Sequence, residues 1–191
     1  MNLLRSKITK TGRRDVQKFI RYRLKSKITR DLKHSRIFNE ADLQSVVYLH
    51  LRRYLSHDKR WKIFNQQYIS KMWGQRKTIN FFPDIVLGIK KPRISIELKE
   101  RKTVRKNRVM NDAKKLYKLK KQGVIRKGFI IYLYQNKKEK NESYLEKDAN
   151  TWIRKYHRYV HCILINAYEH IPKTKQDKWN KLWNKSTHYR I

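Results

Sequence analysis

The alternation of apolar and polar positions is clearest between residues 81 and 99, where it predicts a β-hairpin. The first strand is predicted over Phe81–Leu87. The second, Arg93–Lys99, alternates strictly, so that one face is apolar and the other polar. Gly88 and Pro92 flank the connection, as residues of hairpin turns do. The apolar face of the second strand carries Ile94, Ile96 and Leu98, and its polar face carries Ser95, Glu97 and Lys99.

The register of this hairpin brings two acids together. When the two strands pair about the midpoint between Lys90 and Lys91, Asp84 lies opposite Glu97 on the same face, with Cβ atoms about 4.5–5.5 Å apart. Two like charges in this position destabilise the sheet unless a positive charge compensates them. The pattern therefore predicts a cation between Asp84 and Glu97.

The remaining pattern predicts an α/β protein with a mixed central sheet flanked by helices. The run Phe129–Tyr134 is too continuously apolar for an exposed strand, so we expect it inside the sheet. In chain order the predicted elements are a helix at 40–55, a strand at 61–69, the hairpin, a helix at 109–122 ended by Gly123, a strand at 129–134, a helix at 144–156 and a strand at 160–168.

The ends of the chain are predicted to extend this domain, which covers residues 39–170. Residues 1–38 form a basic arm with a helix at 15–24, and its basic side either grips phosphates or is simply solvated. Residues 171–191 form a basic, aromatic tail. Its residues Trp179 and Trp183 are four apart, which favours packing on the body over stacking on bases.

The net charge of the chain indicates what kind of molecule it binds. The chain has 191 residues, with 50 Lys and Arg against 15 Asp and Glu, a formal net charge of +35. A polyanion would neutralise this charge, and we expect that polyanion to be DNA, with an RNA substrate left open. No apolar run reaches the roughly 20 residues of a membrane-spanning helix, so no membrane partner is expected. The candidate nucleic-acid-binding residues are Arg13, Arg14, Lys18, Arg21, Arg101, Lys102, Arg105, Lys114 and Lys118.

The polar face of the hairpin has the residues that metal-assisted hydrolysis requires. Mg²⁺ is commonly held by one or two carboxylates together with water and phosphate oxygens, and Mn²⁺ is the alternative ion. Lys99 lies two residues beyond Glu97 on the same face, so its ammonium comes to the edge of the metal site. Asp84, Glu97 and Lys99 together are suited to hydrolysis of a phosphodiester bond.

These residues resemble a known family. Pro83-Asp84, followed after a short apolar strand by Glu97-Leu98-Lys99, is similar to the motif of the PD-(D/E)XK nucleases, and the match covers about residues 39–134. The resemblance implies a restriction-endonuclease-like fold, with Asp84 and Glu97 as metal ligands and the Leu98 carbonyl as a further ligand. Lys99 would orient the attacking water or offset charge on the phosphorane. An acid on the preceding helix often joins the metal site in this family, and Glu40 is the matching residue; a role of Glu40 at the helix dipole is the alternative.

The expected activity is Mg²⁺-dependent cleavage of DNA, nearest in character to small Holliday junction resolvases or to nucleases of viruses and mobile elements. A non-catalytic nucleic-acid-binding protein and a site-specific restriction or transposon-end nuclease are the alternatives. We also expect a homodimer, because one site cuts one strand and a two-fold axis supplies the second site. With five glycines and no Gly-rich phosphate loop, no nucleotide cofactor is expected. The single cysteine, Cys162, fits a reducing intracellular compartment such as the cytoplasm or nucleoid.

Overall fold

The computed structural model describes residues 11–64, 83–136 and 141–188, with side chains up to residue 183. Within these ranges, five strands form one mixed sheet with helices on both faces. The strands are β1 (Lys62–Phe64), β2 (Ile85–Gly88), β3 (Pro92–Arg101), β4 (Lys127–Tyr134) and β5 (Val160–Asn166). The structure confirms the predicted α/β class, with a mixed sheet flanked by helices.

Helical segments precede β1, separate β3 from β4 and β4 from β5, and follow β5. The helical run α1 consists of Arg13–Lys18, a π-helical part Phe19–Leu24, and Lys25–Lys33. It is followed by α2 (Glu40–Leu55), α3 (Lys106–Lys121), α4 (Glu142–Trp152), α5 (Ala167–His170) and α6 (Lys173–His188), with a 3₁₀ turn at Arg154–Tyr156. No helix in the described ranges has the length and apolar character needed to cross a membrane.

The sheet has the order β1-β2-β3-β4-β5. Its first three strands are antiparallel, and β3, β4 and β5 are parallel. Strand β4 therefore pairs on both sides, which confirms the interior position predicted from its continuous apolar run. The helices α3 and α4 make the two crossovers between the parallel strands, as parallel pairing requires.

Two hydrophobic cores lie on the two faces of the sheet. One face is covered by α1, α2 and α6, whose buried residues include Ile20, Leu43 and Trp183; the other is covered by α3 and α4. The predicted hairpin face of Ile94, Ile96 and Leu98 is fully buried in the first core. Both faces of β3 are buried, since Ser95 and Glu97 on the opposite side are also shielded from solvent.

The ends of the chain pack on this body. The helix expected at 15–24 is present, and its apolar residues Val16, Phe19, Ile20 and Leu24 are buried in the first core. Trp179 and Trp183 are also buried, and the Trp179 indole N–H donates to the Ile37 carbonyl at 2.8 Å. The prediction that this tryptophan pair packs is confirmed. The domain boundaries at 38 and 170 stay predictions, although both described ends share the core of the central sheet.

Several element bounds differ from the predicted ones. The helix expected at 144–156 ends at Trp152 and continues as a 3₁₀ turn, and the strand expected at 160–168 ends at Asn166, whose side chain caps α5 by accepting from the Tyr168 N–H. Strand β2 begins at Ile85, after a bend at Asp84. Residues 65–69 of the predicted first strand, the connection at 72–77, and Phe81 and Phe82 lie outside the described residues.

Candidate active site at the β2–β3 hairpin

The hairpin has the register that its sequence predicts. Ile85 pairs with Ile96, and Val86 pairs with Ser95. Continuing that register by one residue puts Asp84 opposite Glu97. The register shifts between Leu87 and Gly88, so that Gly88 pairs with Pro92.

Gly88 fixes this turn because no larger residue fits there. A Cβ at position 88 would lie 2.0 Å from the Lys91 carbonyl oxygen, well inside van der Waals contact. The backbone at Gly88 comes close to the backbone at Lys91, and this close approach allows the shift in pairing at the turn. The position of both carboxylates therefore depends on a glycine at the other end of the hairpin.

Asp84, Glu97 and Lys99 meet on one face of the hairpin. The Asp84 carboxylate accepts a hydrogen bond from the Leu98 N–H at 2.7 Å, which fixes the acid against β3. The Lys99 ammonium forms a close ion pair with Glu97 Oε1 and lies 4.0 Å from Asp84 Oδ2. The three residues that the sequence assigned to catalysis thus form one cluster.

Burial makes this cluster electrostatically unfavourable. The Glu97 side chain is only 4% exposed. Its burial and the nearby charge of Asp84 raise the pKa of Glu97 to about 7, although Lys99 opposes the shift. Burial likewise raises the pKa of Asp84, against the Leu98 N–H and Lys99, which lower it. For Lys99, burial lowers the pKa, but the two acids outweigh it and the pKa is raised, so the ammonium stays charged.

The second carboxylate oxygen of Glu97 is a further feature of this cluster. Glu97 Oε2 is buried and has no hydrogen-bond partner among the described residues. A buried carboxylate oxygen without a donor is costly, and native structures rarely keep one without a functional reason. A hard divalent cation between Glu97 and Asp84 would satisfy it, so the residues present fit Mg²⁺ or Mn²⁺.

Glu40 and Gln44 approach the same cluster from α2. Asn39 caps this helix by accepting from the Asp42 N–H at 2.8 Å. Glu40, at the first position, accepts from the Glu100 N–H at 3.1 Å, and its charge raises the pKa of Asp84 and of Lys99. One turn later, the Gln44 amide lies 3.4 Å from the Asp84 carbonyl oxygen. The structure thus brings Glu40 to the edge of the site, while a direct role in metal binding stays a prediction.

Asp112 and Tyr132 were not singled out in the sequence. Tyr132 is paired with Lys99 in the β3–β4 register, and its hydroxyl donates to Asp112 Oδ2 at 2.5 Å. Asp112 is buried on α3, and its charge raises the pKa of both Asp84 and Glu97. The signal was present, because Asp112 lies three residues after Val109 and four before Leu116, within the apolar stripe of the helix.

The basic residues assigned to nucleic acid are spread over the surface. Arg101, at the end of β3, lies nearest the acidic cluster: its guanidinium donates to the Glu100 carbonyl and is 3.9 Å from Glu40 Oε2. The others are exposed, on α1, on the loop after β3, or on α3. They comprise Arg13, Arg14, Lys18, Arg21, Lys102, Arg105, Lys114 and Lys118. Their role in nucleic-acid binding stays a prediction.

Comparison of the chain with protein-family models, with curated proteins and with solved structures found no match. The interpretation of the site accordingly rests on its own geometry.

Proposed function

We propose that the protein is a Mg²⁺-dependent DNA endonuclease of restriction-endonuclease-like fold. The observation that carries this proposal is the convergence of Asp84, Glu97 and Lys99 in the predicted register, with Glu97 Oε2 buried and without a donor among the described residues. The mixed sheet, with antiparallel β2 and β3 followed by parallel β4 and β5, is compatible with that fold.

In this proposal Asp84 and Glu97 hold the cation, with the Leu98 carbonyl as a further ligand and Glu40 at the edge. A bound divalent ion would polarise the scissile phosphate and lower the pKa of a coordinated water. The Leu98 N–H holds the Asp84 carboxylate in place, so that this ligand needs little rearrangement.

Lys99 then acts on the phosphate or on the attacking water. In the absence of substrate its ammonium is paired with Glu97. With a divalent cation bound to Glu97, the Lys99 ammonium would be free to donate toward the reacting phosphate oxygens. Tyr132 of β4 lies beside Lys99 in the β3–β4 register and donates to Asp112 of α3, so it would limit the positions that the Lys99 side chain can take.

The charge of the chain favours DNA as the substrate and binding that is steeply salt dependent. If six to ten phosphates are contacted, affinity should fall by roughly 10³–10⁵ between 50 and 200 mM salt. Whether the substrate is a branched junction or a duplex of low sequence specificity follows from the experiment below.

The test is a cleavage assay on labelled four-way junction, flap, single-stranded and duplex DNA, and on an RNA duplex, with and without Mg²⁺. We expect cleavage of at least one DNA form, dependent on the ion and lost in Glu97→Gln. Salt-dependent binding of all forms without cleavage of any would instead support the non-catalytic nucleic-acid-binding protein.

The homodimer stays a prediction. Sedimentation at moderate salt, then with a short DNA duplex, should show two subunits in at least the second condition. A monomer in both, producing single-strand nicks only, would reject the dimer and leave the nuclease proposal intact.

A further inference from the structure

A cavity of about 370 Å³ opens between α1 and the amino ends of β4 and β5. Lys127 and Phe129 of β4 and His161 of β5 form its inner wall, and His157 lies on the turn before β5. The outer wall comes from α1. The volume is at the small end of the roughly 300–1,000 Å³ range of ligand pockets, enough for one small ligand.

The lining carries positive charge and no acid. Its ionisable residues are Arg14, Lys18, Arg21, Lys127, His157 and His161. Burial lowers the pKa of Lys127, and the charge of Arg21 lowers it further. These cations therefore repel one another across the cavity, and a bound anion would remove that repulsion.

His161 gives a second, independent indication of a ligand. It is only 7% exposed and lines the cavity. Among the described residues its ring contacts those of Phe129 and His157, but its ring nitrogens make no hydrogen bond. Burial, followed by the charge of Arg21, lowers the pKa of His161 to about 3, so its ring is neutral and has one N–H to donate. A buried imidazole without a partner on the wall of a basic cavity is suited to an anionic oxygen.

An aromatic surface lies beside these charges. Tyr22 borders the cavity and is 63% exposed, with the Arg21 guanidinium carbon 5.2 Å from the centre of its ring. Exposed aromatic rings next to arginine are surfaces on which nucleobases stack. Phosphate-binding groups and a stacking surface thus occur together.

We propose that this cavity binds the phosphate of a nucleotide, either a free mononucleotide or the terminal nucleotide of a nucleic-acid strand. Lys127 and Arg21 would pair with the phosphate, His161 would donate to it, and Tyr22 would cover the base. The site is separate from the carboxylate cluster: Lys127 pairs with Ile94 on the face of β3 opposite to Glu97. Failure of the cleavage proposal would therefore leave this binding proposal intact, and the reverse also holds.

The experiment measures binding to the full chain by calorimetry and by the ring-proton signals of the histidines. The probes are inorganic phosphate, thymidine 5′-monophosphate, thymidine, and two short thymidine oligonucleotides that differ only in a 5′-phosphate. We expect the monophosphate to bind and to shift the signals of His157 and His161, while thymidine does neither. Arg21→Ala/Lys127→Ala should weaken this binding by about tenfold or more, as expected when charged hydrogen bonds are lost.

Arg30→Ala/Arg126→Ala is the matched control, because it removes the same charge from exposed arginines that do not line the cavity. Glu97→Gln should leave monophosphate binding unchanged. Stronger binding of the 5′-phosphorylated oligonucleotide than of the unphosphorylated one, with shifts of the His157 and His161 signals, would identify a strand end as the source. Equal binding of the two oligonucleotides, together with binding of the monophosphate, would identify a free nucleotide. Equal binding of thymidine and its monophosphate to the wild type, or equal losses in the two double variants, would overturn the proposal.

Discussion

Two clusters of this protein place a lysine between two acids, yet they differ in how the acids are satisfied. In the first, Lys99 lies between Asp84 and Glu97. In the second, Lys25 of α1 reaches Glu142 at 2.8 Å and Glu146 at 2.5 Å on α4. The second cluster also has the spacing of a metal site, because ligand atoms of Glu142, Glu169 and His170 lie within 4.8 Å of one another.

Both carboxylate oxygens of Glu142 have partners in the protein. Its Oε1 is paired with Lys25, and its Oε2 accepts from the Asn166 N–H at 2.6 Å and lies 3.0 Å from the His170 ring nitrogen. Burial alone would raise the pKa of Glu142, but His170, Lys25 and the Asn166 N–H outweigh it and the pKa is lowered. The pKa of Glu97 moves in the opposite direction. Proximity of acids is therefore a weaker sign of a metal site than a buried acid with an oxygen that has no donor among the described residues.

The largest expected difference between the clusters is in cleavage. Asp84→Ala, Glu97→Ala and Lys99→Ala should each reduce the rate by at least about a hundredfold, because each removes a group that acts on the reacting phosphate. Glu142→Gln should cleave at nearly the wild-type rate. DNA binding should persist in all four variants, as measured by fluorescence anisotropy. Wild-type rates in all three alanine variants would show that the hairpin cluster is not the active site.

The second difference is the pH dependence of stability in the metal-free protein. The folded pKa of Glu97 is about 7, against an ordinary value of 4.5. Between these values the folded state holds more protons than the unfolded state, so stability falls as pH rises. Across this pH range the free energy of unfolding of the wild type should fall by on the order of 3 kcal/mol more than that of Glu97→Gln. Urea unfolding with EDTA at several pH values measures it, and parallel curves for the two proteins would contradict the raised pKa.

The third difference concerns stability at neutral pH. Glu142→Gln should lower the free energy of unfolding by about 2 kcal/mol, because it weakens a partly buried network and leaves Lys25 with one acid fewer. Glu97→Gln should leave stability unchanged or raise it in metal-free protein, since it removes a like-charge repulsion. The same urea experiment at pH 7 compares them, and a larger loss for Glu97→Gln would reverse the assignment of the two clusters.

The smallest expected effect is stabilisation by the ion. At about ten times its dissociation constant, Mg²⁺ or Mn²⁺ should stabilise the wild type by about 1.4 kcal/mol. Thermal unfolding should show this increase in the wild type and in Glu142→Gln, and lose it in Asp84→Asn and Glu97→Gln. Loss of the effect in Glu142→Gln alone would place the ion at the other cluster.

The sequence predicted the hairpin site well because its determinants are local. Strict alternation from Arg93 to Lys99 and a glycine at the turn left one register in which the apolar face is buried, and that register is observed. Glu40 could be placed because the capping residues Asn39 and Asp42 determine where α2 begins. In both cases a few neighbouring residues decided the geometry.

The parts that escaped prediction depend on distant segments. Lys25 and Glu146 are 121 residues apart, and nothing in either local pattern shows that α1 packs beside α4. The helix of residues 15–24 was predicted with its apolar face, yet the surface that this face covers depends on the finished sheet. The cavity at Lys127 was not predicted for the same reason, since its walls come from three separated segments.

The close contact at Gly88 also limits the substitutions that this protein can tolerate. Side chains alternate along a strand, so a slip of one residue in the pairing would turn Asp84 away from Glu97. A side chain at position 88 would meet the Lys91 backbone, and relief of that clash would disturb the pairing. In a library that samples every residue at every position and is selected for cleavage, position 88 should therefore be as intolerant as the carboxylates, although it never touches the substrate.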